Sequence, residues 1–313
     1  MSKLNENQSS PQEADYLASY KKIVTSLYGE DGVIEKIFEI IKNGDQWCVE
    51  FGAGDGKTIS NTYNLIINKQ WSAIEIEASK NLYKKLLQTY NGKTQVICIN
   101  KQINFEGGDS LDNLLLKTPI PKDFDLLSID IDGNDYHVWS SIEIYRAKVI
   151  IIEFNPTIPN DVEFVQPRDM KINQGSSLFS LAKLGKEKGY ELVAALGLSA
   201  FFVKKEYYAL FKIQDNSVPL IRKAHEYETR LFQLHDGTLV LTGNRLLLWH
   251  GLEINQKRMQ ALPKFLRKYP PQMNYFERML VSYLRYKRQG IFRLILKKAA
   301  DYFKKKLRRQ GHV

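Results

Sequence analysis

Two cysteines in 313 residues, Cys48 and Cys98, are too few for a disulfide framework. Both fall in apolar segments, where thiols are ordinarily buried and inert, so a reducing compartment is expected. No stretch approaches the roughly 18 uninterrupted apolar residues that a membrane-spanning helix needs. The opening residues are polar and lack the apolar core of a secretory signal, so a cytoplasmic protein is expected, with residues 1–12 disordered. Acidic residues are scarce at the other end. From Lys257 to Val313 there are 17 Lys+Arg against only Glu277 and Asp301, a net +15, while the rest of the chain carries −5. The overall +10 therefore belongs to the C-terminal part, and an acidic main body disfavours nucleic acid as its partner. Hydrophobic content of 43% is ordinary for a globular chain with room for one large domain and an appendage.

The most informative stretch is Gln46 to Gly56, QWCVEFGAGDG. An apolar run ends on Glu50, glycines follow at 52, 54 and 56, and a helical pattern runs from Lys57 to Asn68. A strand, a tight turn and a helix let backbone approach a ligand closely and aim helix N–H groups at it. A dinucleotide fingerprint would place its third glycine at position 57, where Lys57 stands. A purely structural turn is the plain alternative.

Further apolar segments alternate with helical ones. From Ala14 to Ile41 the periodicity predicts two helices joined by Gly29-Glu30-Asp31-Gly32, either a solvated loop or acids at a pocket rim. Trp71 to Glu77, WSAIEIE, reads as a second strand with Glu75 and Glu77 near its tip. A carboxylate about 20 residues past the glycines suits a ribose diol, and alternation leaves both residues as candidates. A helix from Ala78 to Thr89, a strand from Thr94 to Asn100 and the loop EGGDS follow, with Asp109 equally suited to capping a helix. Asp123 to Gly133, DFDLLSIDIDG, is a buried strand ending in Asp130 and Asp132, with Asp135 and His137 just beyond. KVIIIEFN ends likewise in Glu153 and Asn155. Carboxylates gathered at strand ends are costly unless solvated, capping a helix or bound to a hard cation, which makes Asp130, Asp132, Glu153 and Asn155 candidate metal ligands. His137 is the histidine nearest this cluster and a candidate general base, with Asp132 as the second catalytic candidate; simple packing is the alternative for His137. Helix Ser176–Lys188 and the pair YELVAALGL and AFFVKK complete the pattern.

Glu-x-Gly-x-Gly-x-Gly closely resembles the first motif of class I S-adenosylmethionine (SAM)-dependent methyltransferases. YGEDGVIEKIF, Ser60-Asn61, SIDIDGNDYHVW and AFFV resemble an FkbM-type subgroup, many members of which are associated with O-methylation of glycans or natural products. The resemblance covers about residues 14 to 210. It implies an α/β fold, a doubly wound Rossmann-like sheet of seven strands with a terminal antiparallel hairpin, over a domain at 13–212. It implies SAM contacts from Glu50, Gly52, Ala53, Gly54, Asp55, Glu75 (favoured over Glu77), Asp109, Ser110 and Asp130. The acids after strands four and five also resemble magnesium-dependent O-methyltransferases, which implies Mg²⁺, although the pair here is Glu-Phe-Asn.

Residues 213–256 are expected to form an accessory element with a hairpin turning at Asp236-Gly237, and 257–313 a basic, mainly helical extension. Between Phe292 and Leu307 an apolar stripe flanked by lysines suits an interfacial helix on an anionic membrane, on the inner face. The expected activity is O-methyl transfer to a sugar hydroxyl of a cell-surface glycan or a lipid-linked (glycolipid) precursor. Alternatives are a natural-product methyltransferase and a non-catalytic adaptor acting through the basic helices. Homo-oligomers and glycan-assembly enzymes are the expected protein partners.

Overall fold

A computed structural model describes residues 13–42, 44–223 and 227–288. The chain divides into two compact units, one ending at Glu228 and one beginning at Thr229, so residues 213–228 join the first unit. Ile213, Val218 and Ile221 are buried in its core, which explains the later boundary.

The first unit is built on a seven-stranded sheet. In chain order its strands are β1 (Trp47–Phe51), β2 (Ser72–Glu77), β3 (Val96–Asn100), β4 (Asp123–Ile129), β5 (Arg146–Glu153), β6 (Tyr190–Leu196) and β7 (Ser199–Lys204). Their spatial order is β3-β2-β1-β4-β5-β7-β6. The first five are parallel, and β7 runs antiparallel between β5 and β6. The sequence favours this: β4 and β5 carry the apolar cores Leu126-Leu127 and Val149–Ile152 and are buried almost throughout, which suits strands covered on both faces. Gly197 turns the final hairpin with φ +58, a value that glycine adopts without steric cost. The order reverses between β1 and β4, the position where open α/β sheets leave a crevice at the strand C-termini.

The helices are α1 (Glu30–Ile41), α2 (Tyr63–Lys69), α3 (Lys80–Thr89), α4 (Leu111–Leu115), α5 (Asp135–Ser141), α6 (Leu178–Glu187) and the short α7 (Lys205–Tyr208) and α8 (Val218–Ile221). Two differ from expectation. Only a 3-10 turn, Tyr16–Tyr20, precedes α1, because the Asp31 carboxylate gathers the amides of Val24, Thr25 and Ser26 into a loop. Glu30 and Asp31 are thus buried in the first turn of α1, not set at a pocket rim. The helix expected from Lys57 starts six residues later, at Tyr63, because Asp55 accepts the amides of Lys57 and Thr58 and Ile59 takes φ +55.

Buried aspartates recur as backbone caps. Asp125 accepts the amides of Gly44 and Gln46 and pairs with Lys148 at 2.7 Å, fixing the entry to β1. Asp112 accepts those of Glu143, Ile144 and Tyr145 at the entry to β5. Buried polar groups survive where such bonds satisfy them.

The second unit contains the hairpin β8 (Thr229–Gln233) and β9 (Leu239–Gly243), turning at Asp236-Gly237 as expected. A small pair, β10 (Leu246–Leu247) and β11 (Leu252–Glu253), and the helix α9 (Tyr275–Arg288) follow. Leu241, Leu266 and Met273 are its buried apolar residues among those described. The interfacial helix expected between Phe292 and Leu307 and the tail at 1–12 lie outside the described residues. Among the described residues no helix is long and apolar enough to cross a membrane.

At Gly52, φ is +76 and an added Cβ would stand 1.6 Å from the carbonyl oxygen of Asp130. Gly52→Ala is therefore expected to destabilise the first unit by more than about 2 kcal/mol, as a steric clash compounded by backbone strain does. Urea unfolding followed by circular dichroism checks this, and an unchanged midpoint would contradict the close approach.

Candidate active site

The glycine turn after β1 and the ends of β2, β4 and β5 enclose a cleft of about 510 Å³. That lies within the roughly 300–1,000 Å³ usual for small-molecule sites. Gly52, Gly54, Glu77, Asp130, Asp132 and Glu153 are among its lining residues. At Gly54, φ is +58 and nothing lies within 4 Å of where a Cβ would stand, so the backbone there is bare. Its amide donates to Glu77 Oε2 at 2.8 Å, and the Ser79 amide donates to Glu77 Oε1 at 2.6 Å. The carboxylate at the tip of β2 is thereby fixed beside the turn with lone pairs to spare.

This corrects the assignment of Glu75 to a ribose. Glu75 is fully buried, one pleat repeat deeper in β2, directly opposite Glu50 of β1. The Thr62 hydroxyl lies 2.8 Å from Glu50 Oε2 and 3.0 Å from Glu75 Oε1, and it has one proton to give. Glu50 also accepts from the Ser60 hydroxyl and the Asn61 amide, so it is the better-satisfied anion. Burial, then the Glu50 charge, push Glu75 well above the usual carboxylate range. The charged form of Glu75 is thereby disfavoured beside Glu50. Glu50 itself is buried behind the turn, organising Ser60-Asn61-Thr62 rather than lining the cleft.

Across the cleft, one carboxylate oxygen from each of Asp130, Asp132 and Glu153 lies within 4.8 Å of the others. Asp130 follows β4, Glu153 ends β5, and Asp132 sits at φ +57, a left-handed turn that Asp tolerates better than most residues. Asp135 does not join them. Its carboxylate accepts the amides of Ile131 and Gly133, pinning the turn that presents the other acids. Asp130 opens to the cleft on one side and is hemmed in by protein on the other. Desolvation first, then the charges of Asp135, Asp132 and Glu50, push its carboxyl up to about 7. Desolvation, then Asp130, Asp135 and Asp132, push Glu153 up to about 9. Asp130 and Glu153 therefore hold protons more readily than ordinary carboxylates, and a cation beside the cluster would take the protons' place.

The remaining expected site residues fall elsewhere. Asn155 is not placed as a ligand: its amide nitrogen donates to Gln174 O at 2.7 Å, and its oxygen accepts from the amide and hydroxyl of Thr157. His137 is not placed as a base in the cleft. Its Nε2 meets the Gln166 carbonyl at 2.8 Å and its ring packs edge-on to Phe105. A carbonyl only accepts, so Nε2 carries the proton. Ala53 is buried with its amide bonded to Ile76 O, and Asp55 caps the following turn. Asp109 pairs with Lys101 at 3.2 Å, and Ser110 stands at the N-terminus of α4; neither lines the cleft, whereas Lys101 does.

Further residues also shape the cleft, some of them in the loop from Pro156 to Gly175 that the sequence sets after the fifth strand, with Arg168, Asp169 and Lys171 expected over the substrate. The segment after β5 returns over it, bringing Met170 and Asn173 into its wall. His137 holds that segment at Gln166, and Asn134 donates to the carbonyls of Asp169 and Ile172. Arg168 lies 4.3 Å over the Phe105 ring. Ile59, 57% exposed at φ +55, and Leu27 supply an apolar side. A β-branched residue with positive φ is rare, and nothing in the sequence flags it. Glu77 was legible as the last acid of WSAIEIE, and the pleat alone could not rank it above Glu75.

The raised carboxyls fix the sign of a pH effect. Between the ordinary glutamate range and about pH 9 the folded protein holds a proton on Glu153 that the unfolded chain has released. Stability is fullest at the acidic end of that window and falls as pH rises through it. Glu153→Gln is expected to flatten the decline, read as urea midpoints at pH 6, 7.5 and 9. Equal slopes in both proteins would contradict the assignment.

No protein-family model matches the chain, and no curated protein sequence does. Solved structures are similar to it over little more than half its length. The CurJ carbon methyltransferase aligns with 12% identity and TM-score 0.37, over 55% of this chain and 52% of that one. The N-terminal domain of EvdMO1, solved in the presence of SAH and D-fucose, aligns with 13% identity and TM-score 0.35, over 56% and 82%. An O-methyltransferase family protein from Burkholderia thailandensis aligns with 11% identity and TM-score 0.35, over 56% and 57%. The match thus spans about half the length of the CurJ and Burkholderia chains. The structures it is similar to are methyltransferases, and at these scores that likeness carries no argument about activity; the Rossmann-like fold rests on this chain's own strand order.

Proposed function

We propose that the first unit binds SAM in the glycine-turn cleft and transfers its methyl group to a hydroxyl oxygen. The observation that carries this reading is the pairing, in one cleft, of a bare glycine turn tied to Glu77 with three convergent carboxylates. Glu77 offers lone pairs to a ribose diol, and Ile76, Leu82 and Ile103 offer apolar surface to a purine. The acidic opposite wall favours the cationic sulfonium end of such a donor.

Asp130, Asp132 and Glu153 would hold Mg²⁺, a hard cation that takes oxygen ligands. When bound, it lowers the pKa of a coordinated hydroxyl and orients it. The chain's own carboxyls also serve the proton. With no cation on it, Asp130, pushed up to about 7 by desolvation and the charges around it, can accept one from an alcohol held at the cleft mouth. Orientation of donor and acceptor in one pocket contributes several kcal/mol to such a displacement.

The acceptor assigned is a sugar hydroxyl of a cell-surface glycan or a lipid-linked precursor, supported by the FkbM-type resemblance of YGEDGVIEKIF and SIDIDGNDYHVW. The basic helix expected near residues 292–307 would hold the enzyme at the inner membrane face, close to such a precursor.

Calorimetric titration with SAM, with and without Mg²⁺ and with NAD as control, is expected to give micromolar SAM binding and none to NAD. Glu77→Ala is expected to weaken SAM about tenfold or more, the loss of a charge-assisted hydrogen-bond pair. Asp130→Asn with Glu153→Gln is expected to abolish Mg²⁺ binding and the proton release that accompanies it. Absence of SAM binding by the native protein would overturn the reading.

A further inference from the structure

The second unit exposes apolar residues in an arrangement that a water-facing surface does not call for. Leu246, Leu247, Leu248, Trp249 and Leu252 are all exposed, Trp249 by 58% and Leu252 by 61%. They make up most of the small β10–β11 hairpin and its 3-10 tip, Leu248–His250, where His250, Gly251 and Glu253 are the other residues. Singly exposed leucines are ordinary; a run of four apolar residues on one protruding tip is not.

The helix α9 repeats the chemistry. Glu277, Leu280, Val281 and Leu284 are buried or half-buried and form its inner side. Tyr275, Phe276, Met279, Tyr283 and Tyr286 are exposed, Tyr275 by 81%. At 3.6 residues per turn these five fall within about 100° of the helix circumference, a full apolar stripe turned outward. Tyrosine and tryptophan each join an apolar body to a polar handle, the composition that favours the boundary between lipid chains and water.

Charge decides what such a surface meets. From Thr229 to Arg288 there are 11 Lys+Arg against Asp236, Glu253 and Glu277, so these apolar elements are set in a strongly cationic unit. A cationic surface is drawn to anionic lipid, each Lys or Arg near the surface adding about 1 kcal/mol, and an apolar tip with Trp then finds hydrocarbon to enter. We propose that the second unit docks on an anionic bilayer by inserting the 246–252 hairpin tip, with the outer stripe of α9 as a second interfacial element. The occupant is lipid. The role is independent of the basic helix expected beyond residue 289 and of chemistry in the cleft.

Trp249 makes the test direct. Of the four tryptophans, Trp71 and Trp139 are buried and Trp47 is half-buried in β1. The full chain is mixed with vesicles of equimolar phosphatidylglycerol and phosphatidylcholine, or of phosphatidylcholine alone. On the anionic vesicles the emission is expected to shift to the blue and to be quenched by brominated acyl chains. Trp249→Phe should keep binding and lose both signals. Leu247→Asp with Leu252→Asp should weaken binding about tenfold or more, as burial of charge in place of leucine does. Binding without change in Trp249 emission would mean adhesion by charge alone and would overturn the insertion. So would binding of the double variant equal to native, or absence of vesicle binding with the hairpin instead mediating self-association. SAM titration of the same double variant reports on the cleft separately, so failure of either reading leaves the other readable.

Discussion

The strands β1 and β4 leave the sheet so close together that only glycine fits between them. The Gly52 backbone lies against the carbonyl of Asp130, and the Asp130 amide donates to Phe51 O. Any side chain at position 52 would push the two strand ends apart. They part only beyond this contact, one into the glycine turn and the other into the Asp130–Asp135 turn, and the cleft opens between them. Its position is therefore a consequence of backbone contact at the sheet's switch point.

Two kinds of acid surround that contact, and their partners separate them. Asp31, Asp112, Asp125 and Asp135 each accept two or more backbone amides, which makes them parts of the fold. Glu50 does the same for the loop before α2, with Glu75 buried beside it across the Thr62 hydroxyl. Asp130, Asp132 and Glu153 converge chiefly on one another at the cleft wall. Desolvation, then mutual repulsion, raises Asp130 to about 7 and Glu153 to about 9, and it is their place on the cleft wall that sets them apart from the buried caps. His137 belongs with the structural set, since it holds the segment that returns over the cleft.

The two units divide the chemistry. The acidic first unit presents a recessed polar cleft, while the basic second unit presents protruding apolar elements. On the two proposals made above, a catalytic first unit joined to a lipid-docked second unit would meet acceptors confined to a membrane surface at high local concentration, whatever its affinity for them in solution.

Much of this was legible in the chain. Continuous apolar runs ending in acids specified buried parallel strands, and the glycines at 52, 54 and 56 specified the turn, because both follow from local sterics and burial. The late antiparallel pair was equally plain in YELVAALGL and AFFVKK. Which acid does what was not legible, because period-2 alternation puts Glu75 and Glu77 on one face and is blind to depth along the strand. Depth decided it: Glu77 reaches the Gly54 amide, and Glu75 is sealed behind Thr62. Asn155 and His137 were drawn to the site by nearness in sequence, and the tertiary structure gave them other partners, on residues 19 and 29 positions away. The sequence alone determined the elements and the end of the sheet where chemistry gathers. Only the packed structure could separate acids that hold the backbone from acids that face the cleft, since hydrogen-bond partners are set by contacts between distant segments.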